Sequence, residues 1–133
     1  MGAFRGLFSA VSLSLLSGVG IAGEDRSPMT GTWGTPAQCA RQAVVAGGSH
    51  RAAPFEITGG WLRHGLVWCK LSWYPAQPQA GGIFAVAQAL CGEDSALTYR
   101  LALRHRSGPP ATLVLIWDDA VVNGPLHRCA PGQ

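Results

Sequence analysis

Lysine is nearly missing from this 133-residue chain: Lys70 stands alone, and arginine supplies the other basic residues. Charged residues of both signs make up only 13% of the sequence, ten basic against seven acidic. That balance excludes a nucleic-acid-binding surface, which gathers Lys and Arg on one face. The preference for arginine fits a GC-rich, bacterial source. Motifs of chemistry are also absent. There is no Cys-x-x-Cys pair of the zinc or thioredoxin type. There is no His-x-His or His-Glu-x-x-His spacing, no Gly-x-Gly-x-x-Gly and no phosphate-binding loop. No Gly-x-Ser-x-Gly elbow presents a serine nucleophile. No segment holds a long helical period, and none after residue 22 could cross a bilayer as a helix.

The first feature that is present is an export signal. Arg5 lies in a short basic start, and residues 7–22 are uncharged Leu, Val, Ile, Ala, Ser and Gly, with one Phe. The run closes on Gly20-Ile21-Ala22, with small residues at the positions a signal peptidase reads, so cleavage is expected after Ala22. A spanning helix needs about 20 apolar residues, and this run is shorter and carries serines and glycines. Acidic Glu24 and Asp25 follow it, where a stop-transfer segment would be basic. No cysteine marks a lipoprotein cleavage site. We therefore expect a periplasmic or secreted protein in which 1–22 is a signal peptide and 23–133 is a single all-β domain.

Export makes the four cysteines a disulfide framework. Cys69 and Cys91 are symmetric about residue 80, inside the turn-rich stretch 74–82. Two antiparallel strands folding back there bring them together. Cys39 then pairs with Cys129 by elimination and ties the first strand to the chain end.

The rest reads as short strands between Gly- and Pro-rich turns. Strands are expected at 31–34, 55–58, 61–64, 66–73, 83–91, 97–104, 111–117 and 126–129. Residues 36–48 read as a loop with room for a short helical turn around 37–44, and 118–125 as a loop with its turn at Asn123-Gly124. In 97–104 the alternation is clearest: Leu97, Tyr99, Leu101 and Leu103 on one face, Thr98, Arg100, Ala102 and Arg104 on the other. Seven or eight strands at hairpin spacing are the pattern of an all-β barrel or sandwich, and of the two we expect a small antiparallel, up-and-down barrel. Trp33, Trp61, Trp68, Trp73 and Trp117 offer large core side chains. By strand parity Trp61 and Trp73 share a face and Trp68 takes the other, which predicts at least one exposed tryptophan, a common binding anchor.

The Gly31-x-Trp33 start resembles the calycin or lipocalin signature. That resemblance implies a tryptophan plugging one end of the barrel, with a basic residue of the last strand across it, and Arg128 is placed for this part. The chain is shorter than lipocalins and lacks their Thr-Asp-Tyr-type second motif, so a roomy calyx is not implied. The exported portion is also similar to small bacterial exported proteins of unknown function that start with Gly-Thr-Trp and end in Arg-Cys. Periplasmic lysozyme inhibitors are a third comparison, although Ser107-Gly108-Pro109-Pro110 matches only the first two residues of their Ser-Gly-x-x-Tyr loop.

Catalytic residues, cofactors and metals are not expected. His64, His105 and His127 have arginine neighbours, as does His50, which reads as solvated surface. Glu93-Asp94 and Asp118-Asp119 follow strands, where sites often lie. Neighbours on a strand face opposite ways, so neither pair makes a dyad by itself. A hydrolase would need them to converge with a histidine. The expected function is a binding module with a small apolar ligand in the barrel mouth, which the alanines of 83–90 would leave room for. The alternative is a protein partner, such as a secreted hydrolase that it inhibits, met by loops 74–82 or 105–110.

Overall fold

A computed structural model describes residues 26–40 and 53–131. The expected signal peptide, its cleavage point after Ala22, and His50 lie outside these residues. A short 3₁₀ turn, η1 (Ser27–Met29), leads into β1 (Gly31–Gly34) and the single-turn helix α1 (Pro36–Ala40). Eight further strands follow: β2 (Phe55–Ile57), β3 (Trp61–His64), β4 (Val67–Trp73), β5 (Gln77–Gln79), β6 (Gly82–Cys91), β7 (Leu97–Arg106), β8 (Thr112–Trp117) and β9 (Val121–Arg128).

The sheet order is β4-β3-β2-β1-β9-β8-β7-β6-β5, and β4 also pairs with β6. Eight strands therefore form a closed, up-and-down antiparallel barrel, the architecture expected from hairpin spacing. Strand β5 is the ninth. Ladder pairing on one side of β6 runs from Cys69↔Cys91 to Trp73↔Ala87 with β4, then resumes at Gln77↔Phe84 with β5. So β5 continues β4 beyond a kink, inside a stretch whose prolines and glycines read as turn only. Tyr74 N–H still donates to Val86 O at 2.9 Å across the kink.

Alternation fills the interior. Leu62, Leu101, Leu103, Leu113, Leu115 and Leu126 point inward and are buried with Trp33, Phe55 and Ile57. Ala85, Ala87 and Ala89 of β6 face them and are equally buried. Small eight-stranded barrels have interiors just wide enough for side chains to fill. The alanines thus face leucines from across the barrel and are covered by them.

Two local expectations are corrected. The segment expected as a loop at 118–125 is mostly strand: Trp117↔Val121 already pairs, and the turn is made by Asp118 and Asp119 at φ 50° and 57°. Aspartate tolerates that left-handed region better than most residues. The Asn123-Gly124 signal marks a bulge, where the register between β8 and β9 shifts around Leu113 and Leu115. Gly124 has φ 129°, and a Cβ there would lie 2.8 Å from Leu113 O. A bulge uses glycine for the same steric reason that a turn does.

Tryptophan placement is the second correction. His64 pairs with Val67 across the turn Gly65-Leu66, so odd positions of β3 oppose even positions of β4, and Trp61 pairs with Lys70. Trp61 therefore shares the outer face with Trp68, their rings 4.8 Å apart, while Trp73 packs against the core. Parity counted straight through the chain misses this because the turn itself shifts it.

The two disulfides are Cys39–Cys129 and Cys69–Cys91, as the symmetry argument expects. Cys69 and Cys91 are ladder partners on β4 and β6. Cys39–Cys129 lies at the seam where the first strand meets the last. That seam has two ladder pairs, Trp33↔Arg128 and Gly34↔His127, and one further bond from Cys129 N–H to Thr32 O at 2.9 Å.

Candidate functional site

The two ends of the barrel differ in kind. One end is sealed. Trp33 is fully buried and its indole N–H donates to Met29 O at 3.0 Å. The Arg128 guanidinium lies over the ring, 4.4 Å from its centroid. Its Nη1 donates to Thr30 O at 2.7 Å, and its Nη2 donates to Pro28 O. Thus one arginine of β9 fastens η1 across the barrel end. Gly31, at φ 124° where other residues are strained, lets Arg128 approach closely, since a Cβ there would lie 2.6 Å from Nη1. On the same side Arg26 sits over Trp73 at 4.9 Å.

His105 is buried beneath this seal, which corrects its reading as surface. Arg104 and Arg106 flank it in sequence, but alternation turns them out and His105 in. It meets Trp33 edge to face at 5.7 Å between ring centroids. Burial, and secondly the charge of Arg128, push its pKa below the ordinary histidine value. Both effects favour the neutral ring, and Nδ1 is buried without a hydrogen-bond partner.

The other end is open. Leu62, His64, Val67, Cys69, Cys91, Leu97, Tyr99 and Trp117 line a cavity of about 360 Å³ there. The strands place these residues in rows. Leu62↔Cys69 and Cys69↔Cys91↔Leu97 form one inward row, and His64↔Val67 lies one step nearer the rim. Further along the same strands Leu71, Ala89 and Leu101 are buried in the core. Tyr99 and Trp117 make an aromatic wall, edge to face at 5.9 Å. The Trp117 N–H donates to Asn123 Oδ1 at 2.9 Å, which fixes the ring. His64 stacks on Phe55 with centroids 4.0 Å apart.

The rim carries exposed apolar side chains. Leu66 is 81% exposed at the tip of the β3–β4 turn, and Val67, Leu97 and Val121 stand exposed at the other strand ends. Sequence reasoning named the mouth but not these residues. Leucine in a two-residue turn after Gly65 is the signal that could have found them, since turns favour polar residues.

Both acidic pairs are at this open end. Glu93 and Asp94 are exposed in the loop between β6 and β7. Asp118 and Asp119 form the β8–β9 turn next to Trp117. The Arg100 backbone N–H donates to Asp118 Oδ1 at 2.8 Å, and Arg100 Nη1 pairs with Asp119 Oδ1 at 2.7 Å. His127 is exposed on β9, on the side of the seam. Among the described residues no group of three His, Cys, Asp or Glu is arranged to hold a metal ion.

A second hollow, about 440 Å³, lies on the outer wall at the β4–β5 kink and is lined by Tyr74, Phe84, Val86, Gln88, Thr98 and Arg100. Among the described residues no helix is long and apolar enough to cross a membrane. No protein-family model matches the chain, and no curated protein or solved structure matches it.

Proposed function

We propose that this protein is an exported, non-enzymatic binding module that takes a small apolar group into the open end of its barrel. One observation carries the reading. The interior is filled along its length except at one end, where an apolar cavity of about 360 Å³ is ringed by exposed Leu66, Val67, Leu97 and Val121. Ligand sites are clefts of roughly 300–1,000 Å³ with predominantly hydrophobic and aromatic linings. A cavity of this size suits an aromatic ring or a short aliphatic group and leaves no room for a long chain. Trp33 under Arg128 supports placing the chain with minimal calycin-like barrels. Two disulfides support an oxidising compartment outside the cytoplasm.

The test uses protein recovered from the exported fraction of cells expressing the full chain. Intact mass reports cleavage after Ala22 and loss of four thiol hydrogens. Titration with the uncharged dye N-phenyl-1-naphthylamine then reads the mouth. We expect saturable binding that falls about tenfold in Leu97→Trp, a bulkier side chain at an exposed rim position. Absence of saturable binding, or binding unchanged by Leu97→Trp, overturns the reading.

A protein partner is the second reading. It is favoured by an outer-wall row in register, Val86↔Ala102↔Ile116↔Val122, that ends in the exposed Val122. Val122→Lys would abolish such an association and leave dye binding unchanged.

A further inference from the structure

Among the described residues, the charges around the open mouth are of one sign in excess. We infer that the occupant of the mouth is an amphipathic cation: a small apolar group carrying a positive charge that stays at the rim. This deepens the reading of the mouth as a ligand site and rests on it. The apolar cavity is the site, and the charges decide which apolar molecule it prefers.

The positions of the charges carry the argument. Gly92 and Leu97 line the cavity, and Glu93 and Asp94 stand on the exposed loop between them. Trp117 lines it from the opposite strands, and Asp118 and Asp119 are the next residues. Arg100 offsets one of those two carboxylates through its pair with Asp119. Arg63 is matched by Glu56 at 2.5 Å on the outer face. The described mouth thus keeps an excess of negative charge.

Among the described residues, the sealed end has the reverse sign. Arg26 and Arg128 lie across it, and Arg104 and Arg106 stand on the adjoining end of β7. Every described acidic side chain except Glu56 is at the open end, so the described charges are polarised along the barrel axis. A ligand entering such a mouth is drawn by its positive end and buries its apolar end. The wall suits this order. Tyr99 and Trp117 present ring surface inside, and aromatic faces attract cations as well as apolar groups. An anionic ligand, a fatty acid for example, would meet the carboxylates at the entrance and a buried hydrophobic interior.

Three probes that share one naphthalene ring test the charge and the cavity separately. 1-Naphthylmethylamine carries the cation, 1-naphthalenemethanol is neutral, and 1-naphthoate carries the anion. Binding is followed by isothermal titration calorimetry at pH 8, above the ordinary histidine range. At about 0.01 M salt, where the Debye length is about 30 Å, the amine should bind about tenfold tighter than the alcohol, and the carboxylate should bind weakest. At about 1 M salt, where that length is about 3 Å, the amine and the alcohol should converge. In Glu93→Gln/Asp94→Asn the advantage of the amine should shrink to about threefold or less while the alcohol is unaffected. Both residues are exposed on a loop, so the fold is not at risk.

If the alcohol and the amine bind equally well at low salt, the charge inference is overturned and the apolar site stands. If the amine keeps its advantage in the double variant, the assignment to these carboxylates is overturned. If none of the three binds, the apolar site itself fails, and the inference with it.

Discussion

Removing Cys39–Cys129 should cost more stability than removing Cys69–Cys91, and it should do so at the seam. The two bridges close loops of very different length, with sequence separations of 90 and 22. In the chain-entropy model the denatured state gains about 4.6 kcal/mol of freedom when the longer loop is released and about 3.4 kcal/mol for the shorter. The native state adds to the difference. Cys69 and Cys91 sit within a ladder of five β4–β6 pairs, which holds them together without the bridge. The β1–β9 seam has only two such pairs, so it depends on the bridge and on Arg128. The perturbation is Cys39→Ala/Cys129→Ala against Cys69→Ala/Cys91→Ala. Urea unfolding followed by tryptophan fluorescence gives the free energies, and hydrogen exchange locates the loss. We expect the first pair to lose about 4–5 kcal/mol and the second about 3–4 kcal/mol. Amides of β1 and β9 should exchange first in the former. An equal or smaller loss in the Cys39 variant, or exchange spread evenly around the barrel, would refute the view that this bridge holds the seam shut.

Arg128→Met should lower stability by about 2–3 kcal/mol, from a lost ring contact and two lost hydrogen bonds to backbone carbonyls. Arg128→Lys should recover only part of this in thermal melts, because an ammonium lacks the fork that reaches Thr30 O and Pro28 O together. The burial of neutral His105 makes the fold acid-sensitive. Its folded pKa lies below 6.5, so the unfolded chain binds the extra proton, and stability falls as pH drops from about 6.5 toward the folded value. His105→Phe should flatten that part of the stability profile in urea melts between about pH 7 and pH 5. Gly124→Ala should cost about 2 kcal/mol in the same melts, since the new Cβ meets Leu113 O in a backbone region that L-residues avoid.

Much of the barrel is written in local pattern. Alternation in 97–104 sets β7, and hairpin spacing sets the count of strands, because side chains on a strand must separate core from water at every second residue. Symmetry of Cys69 and Cys91 about one turn sufficed for the disulfides. Local signals fail where the same residue serves two geometries. Gly124 marks a bulge as readily as a turn, and the prolines of 74–82 accommodate a kink between β4 and β5 as well as a loop. Trp61 and His105 were misplaced for different reasons. The face of Trp61 depends on how strands pair, and a two-residue turn changes the parity between neighbours. His105 continues the inward face of 97–103, and its arginine neighbours concealed that.

The sequence by itself determined most of the elements, the bridges and the sign of each side chain, since these follow from composition and from pattern along the chain. Only the tertiary structure decided that the interior is full, that one end is sealed by Arg128 and the other open, and that the acidic loops gather at the open end. Closure of the ring brings β1 against β9 and gathers the hairpin loops onto two rims. Residues far apart in sequence then share a surface, and no local periodicity records which of them will meet.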